Sequence, residues 1–526
     1  MVNRMPPGKK PRGKHPLDRR TLALVWDVHT ASGVFAAPFL LIILVTGLFM
    51  PVHEEFLTWS HPAARAGASG PGLEHVLDRI GEQPLDAIEL HLTEPAGGLV
   101  ELTLVEDESG EEHVERTVWA DGATGELHPQ HSHLVYDIYL LHFFYQVPYG
   151  IYVAGLVGLV LSLSLFSGLL VHLRDVVARF GRLRRQPIRA FFADSHTLIG
   201  TVLLVPILVI AVTGAMLGLA QPLALSHAYT TFDGDIAETT RQMGYDVPKV
   251  EGASVAGARV DVAGVIAAAQ EAMPGLDVHW IKLTHPGADD ASLYVYGHAG
   301  FPRLTQVVHL RASDLRPTNY SWPQNATPAE TVNRWGRALH FGDWGGVVVR
   351  LLYVGLALGS VVLTVLGVVL WRRRNSKGWF PRAVEVLTIG SSAGLFAAMS
   401  VAVAASQALG LLDVDTQLAQ TTVLFVCWGL AYGLAALLPV RRSLGALLAV
   451  AALALAVAAV VSLGFAATSS LAVLAQGRVE VLAVDLGLLL AALASGAGGV
   501  WALLPDLRGL AAFNAVSAPA AAGGEA

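Results

Sequence analysis

Four histidines of this 526-residue chain recur in matched surroundings. His29 stands in Asp27-Val28-His29-Thr30-Ala31-Ser32-Gly33 and His196 in Asp194-Ser195-His196-Thr197-Leu198-Ile199-Gly200, the same D-x-H-T-x-x-G pattern 167 residues further on. His142 and His340 each lie in a Leu-His-Phe segment, Leu141-His142-Phe143 and Leu339-His340-Phe341. Imidazoles facing one another across a helix bundle are what haem iron takes as axial ligands. Such a haem would be held without covalent attachment. The one cysteine, Cys427, excludes C-x-x-C-H attachment, an iron–sulfur cluster bound by this chain alone and any intrachain disulfide. The competing reading makes these histidines interfacial residues that anchor helix ends.

Other residues qualify as weaker candidates. Gly168-Leu169-Leu170-Val171-His172 aligns with Gly367-Val368-Val369-Leu370-Trp371, so His172 has no counterpart in the second half. It competes with His29 and His196 as a ligand on their side, and the pairing among the three stays open. Asp27 and Asp194 fit either a helix N-cap, the preferred assignment, or a hydrogen bond that orients an imidazole. Arg334, Arg337 and Arg350 flank His340. They suit either the carboxylates of a haem or an anionic ferric chelate, or else lipid phosphates. The tract His128-Pro129-Gln130-His131-Ser132-His133 resembles a weak metal-binding loop, without carboxylate or thiolate partners at fixed spacing.

The elements that must position these residues are membrane helices. A composition of 53% hydrophobic and 15% charged residues, with a mean hydropathy of +0.51, exceeds what a water-soluble protein carries. Apolar runs of about 20 residues, enough for a bilayer core of roughly 30 Å, fall near 30–50, 149–171, 197–219, 347–370, 386–409, 417–439, 443–467 and 481–504. Basic clusters mark the cytoplasmic ends: Lys9, Lys10, Arg12, Lys14, Arg19 and Arg20 before the first span, and Arg174, Arg179, Arg182, Arg184, Arg185 and Arg189 after the second. Arg372, Arg373, Arg374, Lys377 and Arg382 follow the fourth, and Arg441 and Arg442 the sixth. The positive-inside rule then puts both termini in the cytoplasm and connections 51–148 and 220–346 outside. The first apolar stretch is longer than the core of a signal peptide, so it is expected to be retained.

Thr46-Gly47 and Thr213-Gly214 close the first and third spans at the same spacing as the two histidine motifs. The expected unit is therefore helix, external domain, helix, present twice as a parallel repeat whose equivalent residues lie at equal depth. His29 then faces His196 near the cytoplasmic side, and His142 faces His340 near the external side. Each external domain reads as a small α+β module. The first has a helix at Gly72–Ile80 and strands at Ala87–Leu92, Leu99–Val105 and His113–Trp119; the second has a helix at Val262–Met273 and strands at Val278–Leu283, Ser292–Tyr296 and Thr305–Leu310.

Over residues 20 to 375 the chain resembles the PepSY-associated transmembrane helix proteins. The resemblance is carried by the two histidine motifs with their Thr-Gly pairs, the two Leu-His-Phe segments and Thr117-Val118-Trp119-Ala120-Asp121-Gly122-Ala123-Thr124-Gly125-Glu126, which looks like the PepSY signature. It implies a bacterial inner-membrane, polytopic α-helical protein of about eight spans with two PepSY-like periplasmic domains, carrying two haems b and reducing a ferric siderophore or other ferric chelate. No G-x-G-x-x-G follows a strand, and P-loop, H-E-x-x-H and G-x-S-x-G motifs are missing. Electrons must then come from membrane quinol or a separate cytoplasmic reductase; the lipid bilayer is a partner and nucleic acid is not. The alternatives are a non-enzymatic sensor or accessory protein whose external domains bind a peptide or partner, and a transporter. The four spans after residue 385 carry no motif tied to chemistry.

Overall fold

The computed structural model describes residues 16–60, 87–92, 99–108, 112–121, 127–128, 133–173, 183–185, 187–243, 262–284, 291–300, 302–320, 326–410, 417–464, 469–474 and 479–504. In chain order its helices are α1 (Arg19–Gly47), α2 (His53–Ser60), α3 (Leu134–His142), α4 (Gly150–His172), α5 (Ile188–Val202), α6 (Leu204–Gly218), α7 (Ala220–Thr231), α8 (Ile236–Gln242) and α9 (Val262–Ala272). There follow α10 (Pro328–Phe341), α11 (Gly346–Arg372), α12 (Trp379–Ile389), α13 (Leu395–Gly410), α14 (Gln417–Leu437), α15 (Val440–Gly464), α16 (Ser470–Leu474) and α17 (Val479–Leu503).

Among the described residues seven helical stretches are long and apolar enough to cross a bilayer, and α5 with α6, bent by 66°, supplies an eighth if counted as one span. The chain is a multi-pass membrane protein. The bend has a local cause: Pro206 lies in the first turn of α6, where its missing N–H and fixed φ interrupt a continuous helix at Leu203. Large side chains such as Val348, Leu351 and Leu352 of α11 are more than half exposed, which is what a face turned to lipid requires.

α1 packs on α4 and α11, α4 packs on α6, and α11 packs on α5, so the first four spans close into a ring. α1 starts at its cap Asp18, whose carboxylate accepts the backbone N–H groups of Arg20 and Thr21 at 2.8 and 3.0 Å. Asp27 therefore lies inside α1, and Asp194 inside α5, which begins at Ile188. Neither is an N-cap. Asp27 is exposed, and Asp194 is paired with the Arg184 guanidinium at 2.8 Å.

Among the described residues the strands are β1 (Ala87–Leu92), β2 (Leu99–Glu108), β3 (Glu112–Asp121), β4 (Leu127–His128), β5 (Asp277–Thr284), β6 (Ser292–Ala299), β7 (Leu304–Arg311) and β8 (Pro317–Tyr320). The three strands expected in each connection are present and run up to three residues longer. The helix expected at Gly72–Ile80 and the turn of the PepSY-like segment lie outside the described residues. The two sets of strands join into one eight-stranded antiparallel sheet, ordered β4-β3-β2-β1-β5-β6-β7-β8. Its seam is the antiparallel pair β1 and β5, with Ala87 opposite Thr284 and His91 opposite Trp280. α9 covers the second half, burying Val265, Ala269 and Met273 against Ile281, Leu293, Val295, Val308 and Leu310.

The largest apolar core lies elsewhere. It joins Ile42, Val45 and Phe49 of the first span and Trp59 of α2 to Ile138 and Leu141 of α3, and all of these to α13, α14, α15 and α17.

Candidate functional site

His29 and His196 meet inside the ring of spans, with ring centroids 6.2 Å apart and planes at 64°. His29 Nδ1 lies 2.8 Å from the Ser164 carbonyl of α4, and His196 Nδ1 lies 3.1 Å from the Leu363 carbonyl of α11. His172, at the end of α4, stands within electrostatic reach of His196. Towards the sheet, His142 and His340 line one cavity. His142 Nδ1 lies 3.0 Å from Thr46 Oγ1 of α1, and the Ile43 carbonyl of the same helix acts on the same ring. His340 Nδ1 lies 3.2 Å from the Ile210 carbonyl and 3.3 Å from Thr213 Oγ1 of α6. Both threonine hydroxyls donate to carbonyls of their own helix, which leaves their oxygens to accept.

All four imidazoles follow one arrangement. Nδ1 faces a carbonyl on a neighbouring span in His29, His196 and His340 and the Thr46 oxygen in His142; each of these accepts, so Nδ1 carries the hydrogen and Nε2 keeps its lone pair. Among the described residues no hydrogen bond reaches any of the four Nε2 atoms. Four residues beyond each carbonyl comes a glycine: Gly168, Gly367, Gly47 and Gly214. A Cβ there would stand 2.9 Å from His29, 3.2 Å from His196, 3.1 Å from His142 and 2.8 Å from His340. Each ring thus lies against a glycine notch, where a side chain would force the His29 and His340 rings to shift and would crowd those of His196 and His142. The match of Gly168 with Gly367 is visible in the sequence, but nothing there places either glycine beside a ring.

His142 and His340 open into a cavity of about 1040 Å³ walled by α1, α4, α6 and α11. That is at the upper end of the roughly 300–1,000 Å³ of small-molecule and cofactor sites. The three arginines expected around His340 divide. Arg337 lines the cavity, its guanidinium 5.5 Å from the Phe341 ring centre. Arg350 also lines it, held by Glu55 at 2.8 Å and Glu54 at 3.7 Å. Arg334 does not: it is buried between Glu330, one turn away on α10, and Gln306 of β7 at 2.6 Å, so it ties α10 to the sheet.

The cavity continues to the second half of the sheet, where Asp277, His279, His298 and Arg303 reach it. Sequence spacing gave no hint of this cluster. His279 and His298 have ring centres 4.7 Å apart. Burial, then the neighbouring His298, hold His279 below the ordinary imidazole range, while Asp277 and Glu54 pull the other way. Among the described residues no three side chains of metal-ligand type converge. Of the tract His128, His131 and His133, His131 and the side chain of His128 lie outside the described residues; His133 contacts Asp137 at 3.6 Å and the Tyr136 ring.

The sequence pattern of the PepSY-associated TM region matches residues 26–374. The chain belongs to that family. It is also 30% identical over 375 residues to PA4219, an uncharacterized protein of Pseudomonas aeruginosa, a match covering 65% of this chain and 88% of that protein. The PepSY-associated TM region contains the ring of spans, the sheet and all five candidate histidines at its two levels; α12 to α17 lie beyond it.

Proposed function

We propose that the chain is a di-haem membrane reductase that delivers single electrons to a ferric chelate on the side of the sheet. The observation that carries this reading is the set of four imidazoles, each with Nδ1 fixed, Nε2 uncommitted and a glycine notch beside it. This donor set fits haem b: neutral imidazole is a common axial ligand, its orientation is set by the other ring nitrogen, and the cavity beside His142 and His340 is of cofactor size. His29 with His196, and His142 with His340, would hold one haem each, with His172 as a competing ligand at the first level. Haem bound there supplies one-electron transfer.

The chain's own residues define the rest. Arg337, without a carboxylate partner among the described residues, offers a guanidinium fork to a carboxylate at the His340 level. Arg350 is committed to Glu55. The mouth of the cavity, with Asp277, His279, His298 and Arg303, is where a chelate too polar for lipid would meet the protein. Iron reduced from Fe(III) to Fe(II) is softer and binds oxygen donors more weakly, so it leaves its chelator. Quinol or a separate cytoplasmic reductase would supply the electrons.

The two halves are read as a parallel repeat with PepSY-like external modules, in a bacterial inner membrane, with both termini cytoplasmic. Reporter fusions after Arg184 should then behave as cytoplasmic and those after Gly252 as periplasmic; the opposite result at Gly252 would break the depth argument. For the cofactor, a pyridine haemochrome assay on purified protein should give two haems b per chain, reducible by dithionite. A firm value of one makes one pair of histidines structural, and a colourless, fully folded preparation removes the reading.

A further inference from the structure

His142 and His340 occupy equivalent surroundings, yet the helices that carry them are held by different parts of the molecule. α10, bearing His340, packs on α6 and on β7, where Arg334 reaches Gln306. α3, bearing His142, packs on α1 and on α13 and α14 of the C-terminal region. Leu134, Val135, Ile138 and Leu141, spaced along one face of α3, are buried in the core shared with that region, while His142 at its end turns to the cavity. On the same helix the buried Asp137 carboxylate accepts a hydrogen bond from Thr421 Oγ1 of α14 at 2.5 Å. A second polar contact lies alongside. Trp59 Nε1 of α2 donates to Asp485 Oδ1 of α17 at 2.8 Å, both residues essentially inaccessible. α2 also carries Glu55, the partner of Arg350 in the cavity.

We infer that the C-terminal helices α12 to α17, which lie beyond the family match, position one wall of the cavity, with Thr421 and Asp485 as positioning residues for His142 and for the Glu55–Arg350 pair. A polar contact inside an apolar core fixes register where apolar packing alone would let a short helix slide or rotate. α3 is nine residues long, too short to hold its orientation alone. Its last residue must keep Nδ1 on Thr46 Oγ1 for Nε2 to stay aimed into the ring.

The test uses the full chain with Thr421→Val, close to isosteric, and Thr421→Ser, which restores the hydroxyl. Hydrogen exchange over residues 134–142 should speed about tenfold in Thr421→Val, stay unchanged over 328–341, and return to the parental rate in Thr421→Ser. This readout does not depend on haem. The second readout rests on the di-haem reading: one of the two haems in Thr421→Val should become carbon monoxide-reactive, as expected when a histidine ligand is no longer held, and Thr421→Ser should not. Asp485→Ala, which removes the carboxylate that accepts from Trp59 Nε1, should loosen residues 53–60 in the same way. Unchanged exchange in both Thr421→Val and Asp485→Ala overturns the inference. Wild-type protein without haem overturns the functional reading alone, and the exchange result still decides this one.

Discussion

On the di-haem reading, replacing His340 with alanine should leave one haem per chain where the unsubstituted protein should hold two. The remaining haem stays reducible from the basic side, and reduction of an external ferric chelate falls at least about a hundredfold. His340 is the ring with the closest glycine notch, 2.8 Å at Gly214, and it faces the cavity that reaches the sheet. No other described histidine on α10 can replace it. His29→Ala or His196→Ala should do the reverse: electrons no longer enter from the basic side, while external dithionite still reduces the haem nearest the sheet. His172→Ala separates the remaining pairings, since loss of the haem at the His29 level would make it a ligand and normal haem content would make it a helix-end residue. Haem content by pyridine haemochrome, together with sided reduction in vesicles, reads all four variants. A His340→Ala protein with two haems and full ferric reductase activity would defeat the symmetric assignment.

The second large effect comes from residues that do no chemistry. Gly214→Val places a branched side chain where its first carbon already stands 2.8 Å from His340, and Gly168→Val does the same 2.9 Å from His29. Overpacking of this kind costs about 1–3 kcal/mol, and here the group displaced is an imidazole whose Nδ1 bond fixes its aim. Each variant should lose one haem, Gly214→Val at the sheet side and Gly168→Val at the basic side, with the protein still inserted. Gly429→Ala is the control: nothing lies within 4 Å of the added carbon, so haem content should not change. Difference spectra of the two haems, titrated separately with reductant, distinguish the levels. Full haem occupancy in both valine variants would mean that the rings do not need their notches.

Much of this arrangement was legible from residue types. Membrane spans announce themselves because no other element needs so long a run without charge, and the strands of the two modules follow alternation over six to ten residues. The duplicated D-x-H-T-x-x-G pattern grouped His29 with His196, whose rings now lie 6.2 Å apart. What stayed hidden is backbone chemistry. The acceptors that turn the rings are the carbonyls of Ser164, Leu363, Ile43 and Ile210, and a carbonyl is present at every residue, so sequence cannot mark it. Arg334 departs from Arg337 for a different reason: Glu330 stands four residues before it, the spacing at which a helix pairs opposite charges, and the two are buried together. The seam between β1 and β5 depends on two strands far apart in the chain, and nothing local to either strand encodes its partner.

That seam also sets an order of events during synthesis. β1 is synthesised with the edge that later meets β5 unpaired, and β5 is made only after two further spans. An unpaired strand edge is a template for any other extended chain. The first half of the sheet therefore waits in its most association-prone form until the second half arrives, and a chain truncated before β5 would keep that edge permanently. Two such truncated chains would each offer the other the same missing neighbour.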